Sequence, residues 1–265
     1  MNTILSIVKI LSTLVGMYHI NFIAYAYDKP NKDTYQSFLI PFTFFALLTD
    51  PNSHVEIIIE NSKSFIEKYK KELAVLRTIN EHFLIREPSY KRNSHIPNTY
   101  RFFETPHVPS TYTYILDIDI MLLDHDIVTK YVSFWPDKLP YNNMLRTEDK
   151  SQLTGVHMVK THEYFTDTFI ACQKKYYEGK MDIDEIILGN MCLESFGLPD
   201  FSHRFRPIYG IHFSPNRGRN KMMMLATSRS YYNKFMQIKD QYKELFEFDI
   251  FNKLVKQLHE DFNIN

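Results

Sequence analysis

Two aspartates interrupt an apolar stretch in the middle of this chain. Asp117 and Asp119 stand between the apolar runs 114–116 and 120–123. A near-continuous apolar run predicts a buried strand, and carboxylates rarely lie inside one unless a partner compensates their charge. Because side chains two residues apart in a strand project to the same face, we expect both carboxylates to point the same way. The pair therefore predicts a site for a hard divalent cation such as Mg²⁺ or Mn²⁺.

The segments before this pair alternate between strand-like and helix-like patterns. Strands are predicted at 21–27, 54–60 and 83–86, and helices at 34–48 and 62–82. This order indicates an α/β fold with a mostly parallel central sheet flanked by helices. In such sheets ligands bind outside the carboxyl ends of the strands. We therefore expect the turn at 28–33 and the aspartate pair to lie at the same edge.

The second half of the chain continues the mixed pattern and ends in helix. A short strand is predicted at 155–159, helices at 162–178 and 183–195, a strand or loop at 208–213, and helix from 230 to about 262. The last stretch is interpreted as a packing appendage. We therefore expect one domain at 1–225 and a helical C-terminal extension at 226–265.

Composition excludes several classes of function. The 31 basic and 31 acidic residues cancel, so nothing indicates a nucleic-acid partner. Only seven glycines are present, and no Gly-x-x-x-x-Gly-Lys pattern occurs, which argues against a phosphate-binding loop of that type. Cys172 and Cys192 are predicted to be buried thiols in a reducing compartment, and we expect a cytoplasmic location.

The N-terminal segment is apolar but fits neither a signal peptide nor a spanning helix. Residues 2–26 carry almost no charge, and Lys9 interrupts the apolar stretch instead of preceding it. We interpret residues 1–18 as an apolar helix of the folded domain. Peripheral contact with the inner face of a membrane is the alternative, and a homo-oligomer is a further one.

Four short motifs, taken in order, resemble nucleotide-sugar glycosyltransferases with the GT-A fold. The segment 116–120 (Leu-Asp-Ile-Asp-Ile) resembles their Asp-x-Asp signature. The segments 153–156, 184–186 and 210–213 are similar to successive elements of the retaining glycogenin and bacterial galactosyltransferase group. Two departures stand out: Ile186 replaces an acidic residue of that group, and no Lys-Pro-Trp follows His212.

The resemblance implies a Rossmann-like GT-A domain that transfers a sugar from a nucleotide sugar, with a UDP-sugar as the expected donor. The acceptor would be a hydroxyl of a glycan or of a lipid-linked glycan in surface polysaccharide or glycoconjugate synthesis. It implies Mn²⁺ or Mg²⁺ bound by Asp117, Asp119 and His212. The residues that it implies for the donor are Tyr25, Asp28, Asp117, Arg217, Arg219 and Lys221.

The reaction course and the function class keep alternatives. If the enzyme inverts the sugar configuration, Asp184 or Glu185 would act as general base, although both could instead be ordinary first-turn acids of a helix. A phosphatase of the haloacid-dehalogenase type also uses Asp-x-Asp, but Met121 departs from its pattern. A scaffold that binds a nucleotide sugar without turnover is the non-enzymatic alternative.

Overall fold

The computed structural model describes residues 17–27, 35–180, 182–205, 207–213 and 221–262, with the side chains of 221–228 excepted. The predicted N-terminal helix at 1–18 therefore lies outside the described residues, apart from its last two positions. Tyr18 already belongs to the first strand.

A six-stranded sheet forms the centre of the molecule. The strands of the protein are β1 (Tyr18–Ala26), β2 (Ser53–Ile59), β3 (Phe83–Arg86), β4 (Ser110–Ile115), β5 (Ile120–Leu122), β6 (Tyr141–Asn142), β7 (His157–Lys160) and β8 (Gly210–His212). The central sheet has the order β3-β2-β1-β4-β7-β6. Its first four strands are parallel, whereas β7 is antiparallel to both β4 and β6. The predicted mostly parallel α/β sheet is confirmed.

Ten helices are described around this sheet. They are α1 (Leu39–Leu47), α2 (Ser62–Lys68), α3 (Lys70–Ile79), α4 (Ile127–Val132), α5 (Thr161–Tyr164), α6 (Asp167–Tyr177), α7 (Asp184–Ser195), α8 (Lys221–Gln241), α9 (Lys243–Phe246) and α10 (Asp249–Phe262). Short 3-10 turns cover Gln36–Phe38 and Pro97–Phe102. The single helix predicted at 62–82 is interrupted at Tyr69, whose backbone leaves the helical region.

The two faces of the sheet carry two separate apolar cores. In β1 the alternate residues Ile20, Phe22 and Ala24 join the core that contains α1, while Ile23 and Tyr25 join the core that contains α7. This alternation follows from the two-residue period of a strand. Every residue of α1 is buried, as expected for a helix that is apolar all round. The sheet is therefore covered on both faces, and ligands reach it at its edges.

The aspartate pair does not lie in a strand, which corrects the first prediction. β4 ends at Ile115, and the Ile120 amide donates to the Asp117 carbonyl at 3.1 Å, which closes a turn around the pair. The chain then enters β5, which belongs to a second, two-stranded sheet with β8. The two carboxylates converge because of this turn and not because of strand periodicity. The turn places both aspartates outside the strands of the central sheet.

The C-terminal helices begin earlier than predicted and share the central core. α8 starts at Lys221, so a boundary between 225 and 226 falls inside it. Phe235, Phe246 and Phe251 are buried against Phe44 and Phe45 of α1. In the part of the chain that the structure describes, no helix is both long enough and apolar enough to cross a bilayer.

Candidate functional site

A pocket opens at the carboxyl edge of β1 and β4. The side chains and backbone that line it belong to Tyr25, Ala26, Tyr27, Tyr35, Asn98, Arg101, Asp117, Ile118, Asp119 and His212. This is the edge at which parallel α/β sheets bind their ligands. Eight of the ten lining residues carry an ionisable or amide group, and the sheet and its turns bring them together from distant parts of the chain, so the pocket is the strongest candidate site.

Asp117, Asp119 and His212 converge in the pocket. One ligand atom from each lies within 4.8 Å of the others, and His212 Nε2 is 3.1 Å from Asp119 Oδ1. The pairing of β5 with β8 produces this contact, since Ile120 stands opposite His212 and the Phe213 amide donates to the Asp119 carbonyl at 2.7 Å. The three residues predicted from sequence as metal ligands are therefore brought together.

These donors fit a hard divalent cation. Two carboxylates and one imidazole offer the oxygen-rich set that Mg²⁺ and Mn²⁺ prefer, with a nitrogen that Mn²⁺ accepts more readily than Mg²⁺ does. Asp119 is 4 % exposed, and a buried carboxylate needs a compensating partner. His212 is a partner only while its ring nitrogen donates, whereas a cation would compensate both acids at once.

Arg101 is a site residue that the sequence analysis did not identify. Its Nη1 donates to Asp117 Oδ1 at 2.6 Å, and its Nη2 donates to Asp184 Oδ2 at 3.3 Å. The 3-10 turn Pro97–Phe102 places it there, and it is only 6 % exposed. A signal was available, because Arg101 is a charge inside the otherwise apolar segment 100–103. That is the same anomaly that singles out the aspartate pair.

Gly155 makes room for this arginine. A Cβ at position 155 would lie 2.7 Å from Arg101 Nη2 and 3.4 Å from Asp117 Oδ2. The first distance is too short for any real contact, so a side chain there would displace the guanidinium. The glycine of the segment 153–156, which carries part of the family resemblance, therefore has a steric reason in this structure.

The acids at the start of α7 have different surroundings. Asp184 contacts Arg101; burial raises the pKa of its carboxyl, Arg101 opposes that rise, and the charges of Glu185 and Asp117 add to it. Glu185 instead accepts from Arg146, from Gln152 Nε2 at 3.0 Å and from the Gly155 amide at 3.2 Å. Asp184 thus belongs to the charged cluster of the pocket, while Glu185 anchors the loop that carries Gly155.

Three tyrosines also line the pocket. Tyr27 and Tyr35 have ring centroids 6.5 Å apart, and Arg92 lies 5.5 Å from the Tyr27 ring centroid while it pairs with Glu60 at 4.0 Å. Tyr25, predicted as a donor-binding residue, also lines the pocket. Burial, with the nearby Glu60 and Glu104 charges, raises the pKa of the Tyr25 hydroxyl. That hydroxyl therefore stays protonated.

The remaining predicted donor-binding residues are not placed. Asp28, Arg217 and Arg219 lie outside the described residues. The backbone of Lys221 begins α8, but its side chain is likewise outside the description. The phosphate-binding role assigned to the basic loop stays a prediction.

No protein-family model and no curated protein matches this chain. Similar solved structures include the apo form of the glycosyltransferase GlyE of Streptococcus pneumoniae TIGR4, at 11% identity and a TM-score of 0.45 over 91% of this chain and 64% of that one. The mannosyltransferase PcManGT from Pyrobaculum calidifontis, in complex with GDP-Man and Mn²⁺, is similar at 8% identity and a TM-score of 0.42 over 84% of this chain and 64% of that one.

A third similar structure is not named as a glycosyltransferase. It is the 4-diphosphocytidyl-2C-methyl-D-erythritol synthase from Anaerococcus prevotii DSM 20548, at 11% identity and a TM-score of 0.40 over 64% of this chain and 82% of that one. This chain spans less than two thirds of the length of the GlyE and PcManGT structures. The function of the chain therefore has to be argued from its own site.

Proposed function

We propose that this chain is a metal-dependent glycosyltransferase that transfers a sugar from a nucleotide sugar to a hydroxyl acceptor. One observation carries the proposal: Asp117, Asp119 and His212 converge in a pocket that Tyr25, Tyr27 and Tyr35 also line. A nucleotide sugar combines a flat base, a doubly charged diphosphate and a polar sugar. The pocket offers aromatic rings for the first and a metal-binding cluster for the second.

The metal-binding cluster of Asp117, Asp119 and His212 supports the choice of reaction class. A divalent cation bound by Asp117, Asp119 and His212 would neutralise the diphosphate leaving group as the bond to the sugar breaks. The three side chains themselves supply the binding oxygens and nitrogen, and the β5–β8 pairing holds two of them in register before any ligand binds. Because these ligands are already in position, the cation binds with little free-energy cost of rearranging them.

Arg101 connects the pocket to Asp184 at the start of α7. The Arg101 guanidinium bridges the carboxylates of Asp117 and Asp184, and it presents hydrogen-bond donors beside the metal-binding cluster, where the transferred sugar would lie. The Asp184 carboxylate is held by Arg101 and that of Glu185 by three donors. The retaining course is proposed because the family resemblance suggests it, with Asp184 or Glu185 as the general base of the inverting alternative.

The tyrosines that line the pocket support a nucleotide donor. Tyr27 lies under the Arg92 guanidinium and beside Tyr35. Tyrosine rings can stack on any of the nucleobases. Tyr25 is less suited to stacking on a base, because its ring already stacks on Tyr100 at a centroid distance of 5.9 Å. A UDP-sugar is the proposed donor, and a glycan or lipid-linked hydroxyl is the proposed acceptor.

The phosphatase alternative is disfavoured by the same contacts. In that class the first aspartate attacks phosphorus, which requires a free carboxylate oxygen. Asp117 Oδ1 is hydrogen-bonded to Arg101 at 2.6 Å, which lowers the nucleophilicity of that oxygen and leaves Oδ2 for such an attack. Met121 also departs from the phosphatase pattern. Hydrolysis of a generic aryl phosphate, with no response to any nucleotide, would contradict the proposal in favour of a phosphatase.

Calorimetric titration with UDP, GDP, CDP and ADP, with and without Mn²⁺, tests the proposal directly. We expect one nucleoside diphosphate to bind in a metal-dependent manner, and the matching nucleotide sugar to be slowly hydrolysed or transferred. Metal-dependent binding without release of any sugar would support the binding scaffold instead. Absence of binding by all four would overturn the nucleotide-sugar assignment.

Asp119→Asn tests the role of Asp119 in metal binding while leaving the fold intact. The substitution keeps the shape of the side chain but removes its charge, so we expect metal-dependent nucleotide binding and sugar transfer to fall by at least about a hundredfold. The thermal midpoint should change little. Asp137→Asn, at an exposed position, is the matched control and should behave as the wild type. Full turnover by Asp119→Asn would remove this metal assignment.

A further inference from the structure

The sheet that carries the metal-binding side chains is too small to hold them by itself. β5 and β8 share only three residue pairs, Ile120–His212, Met121–Ile211 and Leu122–Gly210, and they are not part of the central sheet. An isolated two-stranded hairpin is marginally stable in water. The relative position of Asp119 and His212 must therefore depend on what packs against this two-stranded sheet.

One helix contacts the carboxyl end of β8. Phe213, next to His212, packs its ring against Phe235 of α8 at a centroid distance of 5.9 Å. Phe235 is fully buried and stacks in turn on Phe45 of α1 at 5.3 Å, with Phe246 of α9 edge-on at 5.6 Å. The backbone that bears His212 is thus connected through Phe235 to the helix that covers the central sheet.

The same helix also contacts the other end of the two-stranded sheet. Asp124, two residues after β5, accepts hydrogen bonds from Lys234 and from Tyr231 Oη at 3.3 Å, both on α8. The amides of Leu123 and Asp124 donate to the carbonyl of Tyr209, just before β8. Tyr231, Lys234 and Phe235 stand three and four residues apart and so share one face of α8. A single helical face therefore contacts both ends of the sheet.

We propose that α8 positions the metal-binding residues. The two positioning residues are Phe235, which lies on α8, and Asp124, which follows β5 and contacts α8. The inference rests on the proposed metal-dependent function and assigns a role to a helix that sequence patterns indicate only as a packing appendage. Displacement of α8 shifts His212 relative to Asp119, because Phe213 both packs on Phe235 and donates its amide to the Asp119 carbonyl. Residues that hold metal ligands in position without binding the metal themselves change the metal affinity by about ten- to a hundredfold when they are substituted.

The test is the affinity for Mn²⁺ alone, measured by the electron paramagnetic resonance signal of free Mn²⁺. We expect Phe235→Leu to weaken Mn²⁺ binding about tenfold. The matched control is Phe251→Leu on α10. Phe251 is equally buried and packs against Phe44 and Phe246 in the same core. The control should lose similar thermal stability and keep the wild-type affinity.

A second variant decides the matter if Phe235→Leu does not unfold cooperatively. Asp124→Asn removes the charge that Lys234 and Lys130 contact and leaves the core intact, and we expect it to weaken Mn²⁺ binding up to about fivefold, the upper value for an exposed ion pair. Wild-type affinity in both variants, or equal weakening in Phe251→Leu, would overturn the positioning role. Failure of the wild-type protein to bind Mn²⁺ would instead overturn the metal site on which the inference rests.

Discussion

Single charges inside apolar segments mark the residues of the candidate site. Asp117, Asp119 and Arg101 each interrupt an apolar stretch, and in the structure the three lie in one cluster. A charge in such a segment is costly to bury unless another group compensates it. In this protein the compensation is mutual: Arg101 lies against Asp117, and His212 lies against Asp119.

Substitution of Gly155 by alanine tests how closely this cluster must be held. The added Cβ would lie 2.7 Å from Arg101 Nη2, so the guanidinium must move away from Asp117. We expect sugar transfer to fall about a hundredfold, as small displacements of positioned groups often cause, with a loss of unfolding free energy of about 1–3 kcal/mol. Steady-state kinetics and urea unfolding measure the two effects. Gly179→Ala, at the end of α6 and away from the lining residues, is the control, and equal activity of the two variants would contradict the role of Gly155.

The turn between β4 and β5 is the element on which the site depends. It takes the chain out of the central sheet and into a separate pair with β8. This pairing brings together Asp119 and His212, which are 93 positions apart in the sequence. Gly210 permits this pairing, because a Cβ there would lie 1.9 Å from the Met121 carbonyl oxygen. The convergence of Asp119 and His212 thus depends on a short turn and not on a long strand of the central sheet.

The pairing of β1 with β2 should make stability depend on pH. Asn21 and His54 are opposite each other, and the His54 Nδ1 lies 3.0 Å from Asn21 Oδ1. Burial lowers the pKa of His54 to about 4, so between about pH 6.5 and 4 the unfolded chain binds a proton that the folded chain does not. His54 therefore does not lower the free energy of unfolding above about pH 6.5. As the pH falls from about 6.5 to 4, the free energy of unfolding decreases by up to about 1.4 kcal/mol per pH unit.

Urea unfolding at pH 7, 6, 5 and 4 measures this dependence. Burial also lowers the pKa of His157, to about 3, so both histidines contribute to the slope of the wild type. His54→Gln should therefore show a shallower slope than the wild type, and His162→Gln, at an exposed position, should show the wild-type slope. An unchanged slope in His54→Gln would contradict the assignment to that residue.

At the scale of the whole molecule, the C-terminal helices belong to the main core. The rings of Phe235, Phe246 and Phe251 pack on Phe44 and Phe45 of α1, which itself lies on the central sheet. The stretch after residue 225 is a helical extension in chain order, yet it covers one face of the same sheet. Its helices should therefore unfold together with the sheet.

A chain that ends at residue 225 tests this statement. It would lose three buried phenylalanines, each of which contributes about 3–5 kcal/mol on truncation to alanine, against a total of about 5–15 kcal/mol for a domain. We expect this chain to lack a cooperative thermal transition and near-ultraviolet circular dichroism. A cooperative transition like that of the full chain would show that residues 1–225 fold alone.

Much of the architecture could be predicted because it depends on local patterns. Apolar runs and their alternation with amphipathic segments placed β1, β2 and β3 to within a few residues and indicated a mostly parallel sheet. The breaks within predicted helices, such as the one at Tyr69, could not be predicted. They arise where packing against other elements overrides a helical pattern that continues through the break.

By itself, the sequence determined the chemistry available at the site. Two carboxylates and a histidine are encoded as residue types, and the misplaced charges point to them. Only the tertiary structure decided how they meet: through a turn in place of a strand, through a pairing of β5 with β8, and beside an arginine from a distant 3-10 turn. The physical reason is that such convergence depends on contacts between residues far apart in the chain, and periodicity reports only on neighbours within a few positions.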